Sequence, residues 1–164
     1  MPSVVNCAWW RRVCIPSSNA LMNARALAAL YGALANGGEA DGRRVYSAGF
    51  VARLLETVER SPTVDGGRMT LGWRPWLDGV CGCSPRVLGH TGLGGAVAFS
   101  DADRSLAIVV LRNGYTPVSA TGSQVCDTTR EIVACIEDHL DDRDMSESVK
   151  SHGVQPPSAS SSVV

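Results

Sequence analysis

RVLGHTGLGGAVAFSDADRSLAIVVLRN, running from Arg86 to Asn113, is the stretch that decides the fold. Within it, Ala96-Val97-Ala98-Phe99 and Leu106-Ala107-Ile108-Val109-Val110-Leu111 are short apolar runs separated by Asp101, Asp103 and Ser105. Two such runs around a polar turn predict a pair of antiparallel strands. Just upstream, Gly89-His90-Thr91-Gly92-Leu93-Gly94-Gly95 sets one ionisable side chain among four glycines, where a third strand should approach the hairpin. Glycines at such a place let another group come close to the backbone.

Working outward towards the C-terminus, residues 115–122 are turn-like, and Thr121 with Gln124 matches a capping box. The helix that follows carries Val125, Thr129, Ile132, Val133, Ile136 and Leu140 as a narrow apolar stripe, suited to lying across one side of a sheet. Asp138, Asp141, Asp142, Asp144 and Glu147 then place negative charge at the helix's C-terminal end, against the macrodipole, so fraying is expected from Leu140 onward. The Pro156-Pro157 pair and the serine run read as a disordered tail.

Towards the N-terminus, residues 61–85 shift to Gly, Pro and Asp, with Met69 to Trp73 read as a short strand and Trp76 folded back onto it. Phe50, Val51, Leu54 and Leu55 line one face of a helix that Ser47 caps and that ends near Glu59. Gly42 and Arg43-Arg44 belong to a loop. Leu27, Leu30, Tyr31 and Leu34 recur at helical spacing over Asn23 to Asn36, and Gly37-Gly38 stops that helix. Residues 1–14 show no clean period, and Trp9 and Trp10 look like a segment that packs on something. The fold class is therefore α+β: an antiparallel sheet with a C-terminal helix packed on it. The organisation is an irregular segment over 1–14, a domain over 15–140 and an acidic, then Ser/Pro-rich tail over 141–164.

The chain's 164 residues, 45% of them apolar, suit one ordinary domain with its own core. A net charge of −1 and scattered arginines set aside nucleic acid and anionic membrane surfaces as partners. Lys150 is the single lysine and lies in the polar tail, so chemistry that needs a buried lysine has no candidate. No run has the apolar length of a membrane span, and the opening residues lack the pattern of a secretory leader, so the expected compartment is the cytoplasm. Cys7, Cys14, Cys81, Cys83, Cys126 and Cys135 are too few and too dispersed for a disulfide scaffold, and reduced, partly buried thiols are expected.

The glycine-rich loop fits no phosphate cradle. It has no lysine for a P-loop, and Val97 stands where a dinucleotide fingerprint needs its third glycine. Cys81, Cys83 and His90 form a conceivable zinc set, but the C-x-C spacing is unusual and no second pair sits near. Cys126 and Cys135, nine apart on one helix, point to opposite flanks and read as packing residues. Neither a metal nor another cofactor is expected.

At His90-Thr91-Gly92, followed by Gly94-Gly95, the sequence resembles the serine β-lactamase and penicillin-binding-protein-like superfamily, in its class C β-lactamase and esterase branch, whose third motif is Lys-Thr-Gly or His-x-Gly. AVAFSDADRSLAIVVLRNGY resembles that branch's two following strands, and IPSSNALMNARALAALYGALANGGEADGRRVYS its preceding helix and Gly-Gly loop. The resemblance covers Ile15 to Leu140 and implies the C-terminal part of a β-lactamase-like domain. It further implies that His90, Thr91 and Gly92 form an active-site wall on an edge-like strand and that the Leu93 backbone N–H is half of an oxyanion hole. Fixed donors of that kind stabilise the charge that develops in acyl transfer, and an imidazole beside them can orient a carbonyl or assist proton transfer.

The branch's Ser-x-x-Lys nucleophile and Tyr-x-Asn partner are both absent. No serine has a lysine three residues on, and Tyr31, Tyr46 and Tyr115 are followed at the second residue by Ala33, Ala48 and Pro117. Oxyanion donors without an activated nucleophile give no turnover. The expectation is a hydrolase fragment that is inactive alone and marginally stable, whose cleft side is left open unless the tryptophans or a partner chain cover it. With the full domain present, the expected substrate is a small acyl compound, an ester or an amide. The rival reading is a binding or interaction module on the same fold.

Overall fold

The computed structural model describes residues 6–59, 71–75, 86–92, 94–114 and 127–151. Helix α1 (Ala24–Ala35) is capped by Asn23, whose side chain accepts the Ala26 N–H at 2.8 Å. It stops where Gly37 and Gly38 take positive φ, and a Cβ on Gly38 would collide with the Tyr46 carbonyl, so only glycine fits that turn. Strands β1 (Glu39–Ala40) and β2 (Arg43–Arg44) follow as a small hairpin. This corrects the loop expected at Gly42 to Arg44: Asp41 and Gly42 adopt φ of 49° and 70°, the two positive values that a tight Asp-Gly hairpin turn needs. Helix α2 (Ala48–Glu59) starts at Ser47, whose hydroxyl accepts the Phe50 N–H at 3.2 Å.

The main sheet holds four antiparallel strands in the order β3 (Arg74–Pro75), β4 (Val87–Gly92), β5 (Ala96–Asp101) and β6 (Leu106–Val110). The short strand lies later than expected. Leu71 and Gly72, at φ of 47° and 93°, form a turn, so pairing begins only at Trp73, a single bridge ahead of the strand. Met69 and Trp76 lie outside the described residues. Between β5 and β6, the Asp101 carboxylate accepts the N–H groups of Asp103 and Arg104, and Ser105 takes φ of 50°. A buried carboxylate is tolerated there because two backbone donors meet it.

Helix α3 (Asp127–Ser151) covers one face of the sheet. Val87, Val97, Phe99 and Ile108 pack there against its Val133, with Leu106 and Val110 at the margin. The opposite face meets α1 and α2: Leu88 packs with Leu34, Val51, Leu54, Leu55 and Val58. Each such fully buried side chain contributes about 1.5–3 kcal/mol relative to leaving it in water. The fold is α+β, three layers with the sheet in the middle.

Several expectations change at the ends. Helix α3 runs unbroken to Ser151 instead of fraying from Leu140, since Arg104 bonds Glu137 at 3.3 Å and Asp141 at 2.7 Å and so offsets part of the acidic run. Its buried stripe is narrower than expected. Thr129 and Val133 are fully buried, whereas Ile132 (40%) and Ile136 (36%) remain exposed because they fall on the helix's flank. Cys135 is exposed too and so is no packing residue, while Cys7 is half-buried and Cys14 exposed. Trp9 is 64% exposed, so it does not act as the packing residue expected of it. Near it, Asn19 ties the segment together by donating to Trp10 and accepting from Ile15. Among the described residues no helix is long and apolar enough to cross a membrane. Thr121, Gln124, Val125, Cys81, Cys83, Cys126 and residues 152–164 lie outside the described residues.

Candidate functional site

Side chains alternate across β4, so Val87, Gly89 and Thr91 face α3 while Leu88, His90 and Gly92 face the α1 and α2 side. His90 and Thr91 therefore part company. His90 is exposed on the α1 and α2 side, opposite Ala98 of β5, and Thr91 is buried at 5% exposure on the α3 side, opposite Val97. Gly92 shares the His90 side and pairs with Ala96. Leu93 lies outside the described residues.

The His90 Nδ1 lies 2.6 Å from the Thr91 carbonyl oxygen. A carbonyl only accepts, so Nδ1 carries the hydrogen, and in the neutral ring Nε2 keeps its lone pair. That nitrogen can take a proton from, or once protonated donate to, a group brought over the sheet. The side chains around it are small: Gly92, Ala96 and Ala98. A Cβ on Gly92 would meet only Ala96, at 3.4 Å, which is ordinary contact, so the bare position serves clearance beside the imidazole and not the fold.

The β4–β5 turn is held from the other side. Gly94 and Gly95 take φ of 96° and 93°, and the Gly95 N–H donates to the Gly92 carbonyl at 3.2 Å. The buried Thr129 hydroxyl, on the first turns of α3, donates to the Gly95 carbonyl at 2.7 Å. Reading Thr129 as one more member of an apolar stripe missed this anchor. A hydroxyl in an otherwise apolar row was the only signal.

Two further features were out of reach of the sequence. β4 is not an edge strand, because β3 pairs with its Leu88 and Gly89. Trp73, just ahead of β3, packs with the Leu88 cluster on the side of the sheet that carries His90. The indole meets Tyr31 edge-on, with ring centroids 5.0 Å apart and planes at 87°. Burial, with Tyr46 adding to it, pushes the Tyr31 phenol up to about 12, so this hydroxyl stays protonated at neutral pH. On this side α1 and α2 pack around Leu88, and the imidazole stays exposed. Ser100, the serine nearest in register on this face, is buried with its hydroxyl turned to the Leu88 carbonyl, at 3.4 Å, and so is no exposed nucleophile. Among the described residues no group of three His, Cys, Asp or Glu side chains could hold a metal ion. Of the conceivable zinc set, only His90 lies among them.

No protein-family model matches the chain. Over 100 residues it is 34% identical to the esterase/beta-lactamase LipL of Mycobacterium tuberculosis, a match covering 60% of this chain and 23% of that protein. A family VIII carboxylesterase superposes with a TM-score of 0.62 at 29% identity, over 71% of this chain and 32% of that one. A penicillin-binding-protein homologue from Caulobacter crescentus gives 0.61 at 28% identity, over 78% of this chain and 34% of that one. These similarities place the chain alongside part of the serine β-lactamase and penicillin-binding-protein-like superfamily. It spans between 23% and 34% of the length of these relatives. The relatives it resembles are β-lactamase-related esterases and penicillin-binding-protein-like hydrolases, and the fold it shares with them is α+β.

Proposed function

We propose that residues 15–140 supply one wall of the acyl-transfer site of a β-lactamase-related serine hydrolase. His90 faces the substrate, Gly92 leaves room beside it, and the Leu93 backbone N–H serves as an oxyanion donor. Thr91 supports the wall from behind. The observation that carries this reading is the exposed imidazole, held through Nδ1 to the Thr91 carbonyl on a strand whose neighbours on that face are small. The substrate class is a small ester or a β-lactam, in keeping with the names of the relatives. With neither Ser-x-x-Lys nor Tyr-x-Asn in its sequence, the chain by itself turns over neither.

A second reading, a module that binds on the same face without hydrolysis, is favoured by Ser100, which sits near the imidazole in register but is committed to the Leu88 carbonyl. One experiment separates the two. A chimera carries residues 87–110 of this chain in place of the matching strands of the family VIII carboxylesterase. It should retain nitrophenyl-ester hydrolysis, and His90→Ala in it should lower kcat/KM by about 10²–10³ without moving its melting temperature. A folded chimera indifferent to His90→Ala contradicts the acyl-transfer wall, and saturable binding of the ester without turnover supports the module instead. Serine-dependent turnover of the ester or a chromogenic cephalosporin by this chain alone overturns the claim of inactivity.

A further inference from the structure

A hydroxyl behind the sheet and an imidazole in front of it are joined by a short chain of backbone links. Thr129 is wholly buried on α3, and its Oγ1 donates at 2.7 Å to the carbonyl of Gly95, itself buried. The Gly95 N–H donates in turn to the Gly92 carbonyl at 3.2 Å, so both polar groups of this glycine are engaged, one towards α3 and one towards β4. Gly94 and Gly95 stand side by side at φ of 96° and 93°. Adjacent glycines have no Cβ to restrict them, and a turn built on them keeps one geometry only when outside contacts hold it. The Thr129 hydroxyl is such a contact.

From the turn the constraint passes to β4. The Ala102 N–H donates to the Arg86 carbonyl, so by the alternation of an antiparallel ladder the hydrogen-bonded pairs of β4 and β5 are Leu88 with Ser100, His90 with Ala98 and Gly92 with Ala96. The Gly92 N–H therefore points to β5. In a planar trans peptide the carbonyl points the opposite way, so the Thr91 carbonyl, the other end of the same unit, turns away from β5, and His90 Nδ1 meets it there at 2.6 Å. Whatever tilts Gly92 tilts that carbonyl with it. The links thus run from Thr129 to Gly95, from Gly95 to Gly92, and through one rigid peptide plane to the group that fixes the imidazole.

We propose that Thr129 is a positioning residue for His90. Its hydroxyl keeps the β4–β5 turn, and with it the Thr91–Gly92 peptide, in the orientation in which the Thr91 carbonyl accepts the Nδ1 hydrogen. The neutral ring is thereby held as a single tautomer with Nε2 as an acceptor. Thr129 itself lies on the α3 side of the sheet and acts only through the turn. A catalytic use for that tautomer rests on the acyl-transfer reading, whereas the coupling between hydroxyl and ring does not, so either can fail alone.

The ¹⁵N spectrum of the His90 imidazole in the full chain, at a pH where the ring is neutral, tests it, with circular dichroism to check that each variant is folded. The unaltered chain should hold the Nδ1–H tautomer. Thr129→Val keeps the shape of the side chain and deletes the donor, and should shift the tautomer ratio towards Nε2–H about fivefold or more, the ratio that one hydrogen bond is worth. Thr129→Ala, which removes the donor without setting a methyl in its place against the Gly95 carbonyl, should shift it likewise. Thr129→Ser should return the ratio to that of the unaltered chain. Val133→Ala, about one helical turn further along α3, loosens the packing of the same helix without touching the turn and should leave the ratio where it was. A ring already on Nε2–H in the unaltered chain, a ratio indifferent to the loss of the Thr129 hydroxyl, no recovery with Thr129→Ser, or an equal shift from Val133→Ala would each overturn the proposal, the last because Thr129 would then be one more contributor to stability. Hydrolysis of an ester enters none of these readings, so they stand or fall apart from the acyl-transfer wall.

Discussion

The two faces of the central sheet carry the same strands and different work. On the α3 face β4, β5 and β6 contribute large apolar side chains, and Asp101 and Thr129, buried among them, are both hydrogen-bonded. On the opposite face Leu88 is the one large apolar residue of β4 and β5, and from there towards the β4–β5 turn the surface thins to Ala98, Ala96 and Gly92 around an exposed imidazole. Alternation along a strand makes this division possible, since neighbouring residues such as His90 and Thr91 answer to opposite environments. Both faces hold an apolar cluster, and the front one differs in giving way, towards the β4–β5 turn, to small side chains around an exposed imidazole.

Substitutions that respect the division should sort by face. Phe99→Ala, behind the sheet, should cost about 3–5 kcal/mol in urea unfolding, and a much smaller loss would mean the α3 face is loosely packed. Tyr31 stands on the front side but is buried. With its folded-state value near 12 against an ordinary 10, the folded chain holds a proton that the unfolded chain releases. Its contribution of about 2 kcal/mol should be present below pH 10 and lost as pH rises from 10 towards 12, and Tyr31→Phe should flatten that slope. Thr129→Val keeps the shape but leaves the Gly95 carbonyl without its donor. It should cost about 1–3 kcal/mol and speed amide exchange in the β4–β5 turn, while Thr129→Ser should largely restore both. His90→Ala should change stability by less than about 0.5 kcal/mol, the mark of a side chain the fold does not need.

How much of this was legible in the sequence depended on the range of the forces involved. The β5–β6 hairpin and the limits of α1 and α2 follow from local chemistry, in Asp101 at the turn and in Asn23 and Ser47 as caps, and the structure agrees. The small β1–β2 hairpin was equally local but passed over, because the Asp41-Gly42 signal sits between two exposed and very short strands. The length of α3 was misjudged for a different reason: Arg104, 33 residues before Glu137, meets it only once the sheet has formed. His90 stood out in sequence by its glycine neighbours. Its separation from Thr91 follows from strand alternation alone, yet the motif invited reading the residues as one cluster. The meeting of Trp73 with Tyr31 joins residues far apart in the sequence, which no local pattern encodes.

The most direct test of the front-side arrangement is the ¹⁵N spectrum of the His90 imidazole in the folded chain. For the ring's neutral form the account requires that Nδ1 bear the hydrogen and that Nε2 show the shift of an unprotonated nitrogen. A ring with its hydrogen on Nε2 and that nitrogen bonded inside the protein would contradict it.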